Sequence, residues 1–295
     1  MLHQYMGAST SKVSSLYVVR PATMADQAAI RRLLIYSWRT YLPCGAHWLE
    51  QRLAAGDCWV MVERGQEIVG LIAVLRRHPE VISIVAAAVC NGLPATQYAR
   101  MVLSCAESHA RRQHVHRLAC LSGAVWLNEA LDAHGFQTCE HVITYGWDAV
   151  PFSVAGNSTV VVERARQGDL RTVAAIDNQI FAPVWHKPYE EIEYVLGRSA
   201  YFVVAKHRDR IIGYCWSEWD GTHGHLTRLG VTTDWQGKGV GTRLLTEALS
   251  EMVQAGINWV TLNTQASNLR ARRLYERYGF RSIGQPTPLL WKELG

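Results

Sequence analysis

The chain has 295 residues, of which 48% are hydrophobic and 19% charged, and its formal net charge is +5. This length suits two domains of ordinary size, and the composition excludes a disordered chain. The charge excess is spread over both halves, which speaks against a concentrated nucleic-acid face and is compatible with an anionic small ligand.

Taken in chain order, the first fifteen residues are small and polar and lack a basic stretch followed by an apolar one. They read as a flexible leader rather than a secretion signal. The longest apolar run, around Val81 to Cys90, is about half a membrane span. Seven cysteines stand at scattered spacings with no Cys-x-x-Cys, as in a reducing compartment. These features predict a cytoplasmic protein with no membrane and no nucleic-acid partner.

Sliding the chain by 143 to 144 residues brings landmarks into register. Val18–Arg20 falls near Val161–Arg164, and Asp26 and Asp169 each open an apolar-periodic helix. Ile68-Val69-Gly70 matches Ile211-Ile212-Gly213, Gly135-Phe136 matches Gly279-Phe280, and Trp147 matches Trp291. Five matches in order indicate a duplication. The predicted parts are a leader (1–15), a first domain (16–148), a linker (149–159) and a second domain (160–295).

Each half predicts a strand, two helices and three further strands. In the second half, Tyr201–Ala205 and Ile211–Glu218 form a hairpin around a polar turn containing Asp209. A strand at His225–Val231 leads into Asp234-Trp-Gln-Gly-Lys-Gly-Val-Gly-Thr242, and a helix runs over Thr242–Gln254 to Gly256. A strand over Trp259–Asn263 and a helix over Leu269–Tyr278, closed by Gly279, precede the last strands.

A strand that ends in a glycine-rich turn and opens a helix is a phosphate cradle in principle. The first helical N–H groups have no intrahelical partner, and the helix dipole adds positive potential there. The spacing is neither a Walker loop, since Gly239 follows Lys238, nor a dinucleotide fingerprint. In the first half the corresponding stretch is Gly92-Leu-Pro-Ala-Thr-Gln97, where Pro94 lacks a donor and two glycines are replaced.

Further on, Asn268-x-x-Ala271-x-x-x-Tyr275-x-x-x-Gly279-Phe280 follows the Gln236-x-x-Gly239-x-Gly241 loop. The two motifs together resemble the GNAT superfamily of acyl-CoA-dependent N-acetyltransferases. The resemblance covers residues 160 to 295 and extends to 18 to 148 through the repeat alone. It implies two tandem α/β domains, each a mixed, mostly antiparallel twisted sheet flanked by helices. It implies acetyl-CoA as co-substrate, an amine as acceptor and no metal.

By the same resemblance, Gln236, Gly237, Lys238, Gly239, Val240, Gly241 and Thr242 hold the pyrophosphate. Asn268 and Ala271 lie near the pantetheine and thiol, and Leu229, Gly230 and Val231 pair with the pantetheine arm. Tyr275 is the acid that protonates the leaving thiolate, a role a phenol can fill without ionising at neutral pH. The base stays open among His225, Glu218 and water; His225 stands eleven residues before Gln236. Asn263 occupies a position where peptide-acetylating members carry Glu, which disfavours a peptide acceptor. The loop Phe181–Tyr189, with Trp216 and Trp219, suggests a partly apolar acceptor. The histidine pairs His114/His116 and His223/His225 lack a third ligand at a familiar spacing. In the first half Leu131 and Ala124 replace Tyr275 and Asn268, so that half is expected to be silent. The leading reading is acetylation of a small or amino-acid-like primary amine. Peptide acetylation and a non-catalytic acetyl-CoA sensor are the alternatives.

Overall fold

The structure, a computed structural model, describes residues 16–43, 45–63 and 67–295. The expected leader and Cys44 lie outside the described residues. The chain forms two compact units: the chain up to Cys139 together with Pro288–Gly295, and Glu140–Thr287. The expected boundaries at 148 and 160 differ from this grouping, because residues 140–147 pack in the second unit and 288–295 in the first.

Unit 1 holds strands β1 (Tyr17–Pro21), β2 (Arg39–Tyr41), β3 (Cys58–Glu63), β4 (Ile68–His78), β5 (Val81–Val89) and β6 (Arg117–Leu121). The sheet order is β1-β3-β4-β5-β6, with β2 on β5. Residues 289–293 of the last strand, β13 (Arg281–Glu293), complete the sheet antiparallel to β6. Helices α1 (Gln27–Tyr36) and α2 (Gly45–Ala54) cover one face, with Ile30, Leu33, Leu49 and Leu53 in its core. Helices α3 (Ala95–Arg112) and α4 (Val125–Asp132) cover the other. With both faces covered, β5 is buried at every residue and apolar at all but Ser83, rather than alternating.

Unit 2 repeats the plan with β7 (Gln137–Trp147), through its residues 142–147, and β8 (Val161–Arg164), β9 (Tyr201–His207), β10 (Arg210–Asp220), β11 (His223–Val231) and β12 (Trp259–Gln265). The order is β7-β12-β11-β10-β9-β8, and only β11 and β12 run parallel. Helices α5 (Leu170–Ile180) and α6 (Tyr189–Leu196) pack on one face. Helices α7 (Val240–Gln254) and α8 (Leu269–Arg277) pack on the other. On α7, Leu244, Leu245, Ala248, Leu249 and Met252 are fully buried at helical spacing. Each leucine there contributes roughly 1.5–3 kcal/mol by burial, which anchors the N-terminus of α7 against the sheet.

The elements match the expected ones with shifted ends. The hairpin is longer by a few residues, and β13 is one continuous strand where separate strands were expected. Helix α3 begins at Ala95, with Pro94 as its N-cap. The first-half stretch 95–97 is therefore helix rather than loop, and the connection at 90–94 is shorter than its counterpart at 232–239.

Candidate functional site

The glycine turn is built as its composition demands. Gly237 and Gly239 hold φ of 78° and 77°, which a side chain would strain, and Gly239 is the N-cap of α7. Among the described residues, no backbone N–H from Gly237 to Thr242 donates to a protein acceptor; the first helical bond is Arg243 N to Gly239 O at 3.0 Å. Six successive free donors at a helix N-terminus make an anion nest. Lys238 adds a cation, its Nζ 5.0 Å from the centre of the Trp235 ring.

The expected linker braces this turn. Asn157 N donates to Gly239 O (3.2 Å) and its Nδ2 to Lys238 O (2.8 Å), so the loop's carbonyls are engaged on that side. Thr246 Oγ1 donates to Val154 O (2.6 Å). At Gly156, with φ of 71°, a Cβ would come within 2.4 Å of Arg243 N, so the strap needs glycine to lie against the first turn of α7.

Three segments meet at the turn. Strand β11 pairs with β12 only from His223 to Leu226, and its end diverges through Leu229, Gly230 and Val231. Gln236 Nε2 donates to Val231 O (3.1 Å), while Arg270 donates to Gln236 Oε1. A Cβ on Gly241 would sit 3.6–3.8 Å from Leu274, Leu229 and Val231. Asn268 is the N-cap of α8, and its Oδ1 accepts from Ala271 N (3.2 Å). Thus both Asn268 and Ala271 first serve the helix start that carries Tyr275.

Tyr275 is 7% exposed, with its ring against Tyr145 and Phe280. Burial raises its pKa well above the usual phenol value, with the nearby Cys215 thiol adding to the rise and Arg228 opposing it. The phenol therefore holds its proton at neutral pH. Among the described residues its hydroxyl makes no hydrogen bond.

His225 lies on the opposite sheet face. Gly224 and Leu226 point to the α7 side, so alternation turns His225 towards α5 and α6. It stands in a cross-strand row with Glu218 on β10 and Thr261 on β12. Its Nδ1 is 2.8 Å from Thr261 Oγ1, and burial lowers its pKa. Glu218 is exposed, and Asn263 accepts from Thr144 Oγ1 (2.9 Å).

A buried ion pair that no sequence motif announces stands on this face. Asp177 of α5 is 0% exposed and receives Arg228 Nε (2.8 Å), Arg228 Nη2 (2.9 Å), Tyr214 Oη (2.5 Å) and Lys187 N (3.1 Å). Arg228 Nη2 also donates to Trp185 O (2.7 Å), and its guanidinium lies 3.6 Å over the Phe181 ring. His186 Nε2 donates to Phe181 O (2.8 Å). The loop 181–187 is thereby fixed to β11. Trp216, read as lining the acceptor site, is instead fully buried against Phe202 and Tyr214. Two cavities, of about 500 and 470 Å³, flank the β9–β10 turn, and neither includes Tyr275 or His225.

The GNAT acetyltransferase family model matches residues 170–280. An uncharacterized N-acetyltransferase of Methanocaldococcus jannaschii is 32% identical over 127 residues, which is 41% of this chain and 78% of that protein. A mycothiol acetyltransferase of Acidimicrobium ferrooxidans is 26% identical over 131 residues, 40% of this chain and 42% of that protein, so the chain spans less than half of that relative. A tandem GNAT protein from the clavulanic acid biosynthesis pathway shares the fold, with a TM-score of 0.66 at 16% identity over 95% of this chain and 99% of that one. The chain belongs to the GNAT family of acetyltransferases and is an acyltransferase with the tandem form of that fold. The family uses acetyl-CoA as co-substrate. Among the described residues no helix is long and apolar enough to cross a membrane, and no three metal-ligating side chains cluster.

Proposed function

We propose that unit 2 transfers an acetyl group from acetyl-CoA to the primary amine of a small or amino-acid-like acceptor. The observation that carries this reading is the convergence of the free N–H groups of residues 237–242, the diverging end of β11 and the protonated Tyr275. Acetyl-CoA supplies an activated acyl group whose leaving atom is sulfur. The chain's residues do the rest. The N–H nest with Lys238 neutralises a pyrophosphate. The backbone of Leu229, Gly230 and Val231, unpaired on its β12 side, offers hydrogen bonds to an extended amide-bearing arm. His225 takes the proton of the acceptor ammonium, directly or through water, because only the free amine has a lone pair. As the N–C bond forms and the C–S bond breaks, Tyr275 gives its proton to the departing sulfur, and the extra proton still on the new amide nitrogen passes to the phenolate through solvent and restores the phenol.

The acceptor lies against loop 181–187, held in place by Arg228 and Asp177. Phe181 is engaged under Arg228, which leaves the partly apolar character of this face to Trp185 and Tyr189. Tyr275→Phe tests the reading: thiol release from acetyl-CoA with a panel of amines should fall by about 10²–10⁴-fold while acetyl-CoA affinity by calorimetry stays near that of the parent. Unchanged turnover would remove Tyr275 from the acid role.

A further inference from the structure

The diverging strands of the two units match residue by residue. Strand β5 pairs in parallel with β6 only from Val81 to Ser83, as β11 does with β12 from His223 to Leu226. Both carry a bulge at the same step: Val85 is the extra residue facing β4, and Thr227 the extra residue facing β10. With the bulges aligned, Ala87, Ala88 and Val89 stand where Leu229, Gly230 and Val231 stand in unit 2.

In unit 1 that edge is taken. The three residues of β2 pair with it, Tyr41 with Ala87, Thr40 with Ala88 and Arg39 with Val89. At one end Tyr41 Oη donates to Leu121 O of β6 (2.6 Å), which bridges the divergence. At the other end Arg39 Nη1 donates to Leu93 O (2.9 Å) and Trp38 N to Asn91 Oδ1 (3.0 Å), in the connection that replaces the glycine turn. That connection offers acceptors to a cation, where unit 2 offers donors to an anion. Pro94 at the N-cap of α3 has no N–H to give.

We infer that residues 38–41 are a built-in occupant of unit 1's cofactor slot, lying along the course that a thioester arm takes in unit 2 from strand divergence to helix N-terminus. The inference rests on the reading of residues 229–231 as the arm's partner. Its physical gain is that the backbone groups of Ala87, Ala88 and Val89 that point away from β4, in residues that are each 0% exposed, find partners without a ligand. Unit 1 then takes up no acyl-CoA, not only because its motif is altered but because the slot is full.

Hydrogen exchange on the full chain tests this, with desulfo-CoA as probe. Among the described residues β2 has β5 as its only ladder partner, so the amides of residues 38–42 report on the occupant directly. They should exchange at least ~10-fold more slowly than an unstructured peptide in the free protein and stay unchanged with the probe, while residues 227–232 gain protection. Fast exchange at 38–42 in the free protein, or a rise in exchange when the probe is added, would overturn the inference. An unresponsive 227–232 segment would instead count against the proposed function and leave the occupant standing. Tyr41→Phe, which keeps the ring, should speed exchange at 38–42 several-fold and leave acetyl transfer unchanged; exchange as slow as in the parent would mean that the bridge to Leu121 does not hold the segment.

Discussion

Replacing Asp177 by alanine should damage unit 2 severely and in a way that can be dissected. The carboxylate accepts four hydrogen bonds, and its loss leaves the Arg228 guanidinium, whose side chain is 11% exposed, without its counter-charge. Stranding one member of a buried pair costs about 3–5 kcal/mol. A fold of this size has roughly 5–15 kcal/mol to lose, and the melting temperature should drop on the order of 10 °C. The same strand position in unit 1 is Ala86, and eight residues past the helix-opening Asp26 stands Leu34. The fold therefore forms with apolar residues at both places. Asp177→Leu combined with Arg228→Met should recover most of the lost stability, because the desolvation cost disappears with the charges. Thermal unfolding of the two singles and the double gives the coupling term. Kinetics give the second readout: the double variant, though stable, should show a raised KM for the acceptor and an unchanged Kd for acetyl-CoA, since the pair holds Trp185 and Lys187. A single Asp177→Ala cost under about 1 kcal/mol, or strictly additive singles, would refute the reasoning.

Gly156→Ala should weaken acetyl-CoA binding by about tenfold or more in calorimetry, because the Cβ collides with Arg243 N and the φ of 71° disfavours a side chain, lifting the strap from the loop. If His225 is the base, kcat/KM rises with pH through a pKa below 6.5 and is flat by neutrality, because burial favours its neutral form; His225→Gln should erase that acidic limb, and a persisting limb would exclude the role. In unit 1, the Arg20 guanidinium bonded to Asp26 holds that carboxyl well below the usual range, with desolvation opposing and bonds from Thr23 assisting. A depressed folded pKa contributes stability above the unfolded value near 3.9 and loses it as pH falls through the folded one. Asp26→Asn should thus cost about 1 kcal/mol at pH 7, held small by the half-exposed Arg20, with the gap closing below about pH 4 in urea titrations.

The parts of the site that were legible in the sequence are those written locally. The glycine turn and the Asn268-to-Tyr275 motif each occupy one short stretch, and the apolar spacing of α7 needs no distant partner to be read; that Asn268 caps its helix is seen only in the structure. What escaped depends on pairing across the fold. Asp177 and Arg228 are 51 residues apart, and each alone is an ordinary surface residue type. The three residues of β2 are too few to show a period, and the positive φ of Gly156 acquires meaning only against Arg243. Trp216 reads as acceptor lining when taken with the aromatic loop 181–189, while alternation along β10 turns it into the core beside Tyr214. The stretch 92–97 reads as the counterpart of the glycine turn, yet α3 opens right after Pro94, since proline is tolerated where a helix starts.

The exchange of terminal strands sets an order of events during synthesis. Residues 289–293 lie along β6, and the chain between them and Cys139 makes up unit 2. As the chain emerges from the ribosome, unit 1 is made first but lacks the strand that closes its sheet, and β6 keeps an open edge while unit 2 is translated. Unit 2 has all its segments by Thr287 and can finish first. The half without the glycine turn is thus begun early and completed last, its closing step a long-range pairing of the slow kind.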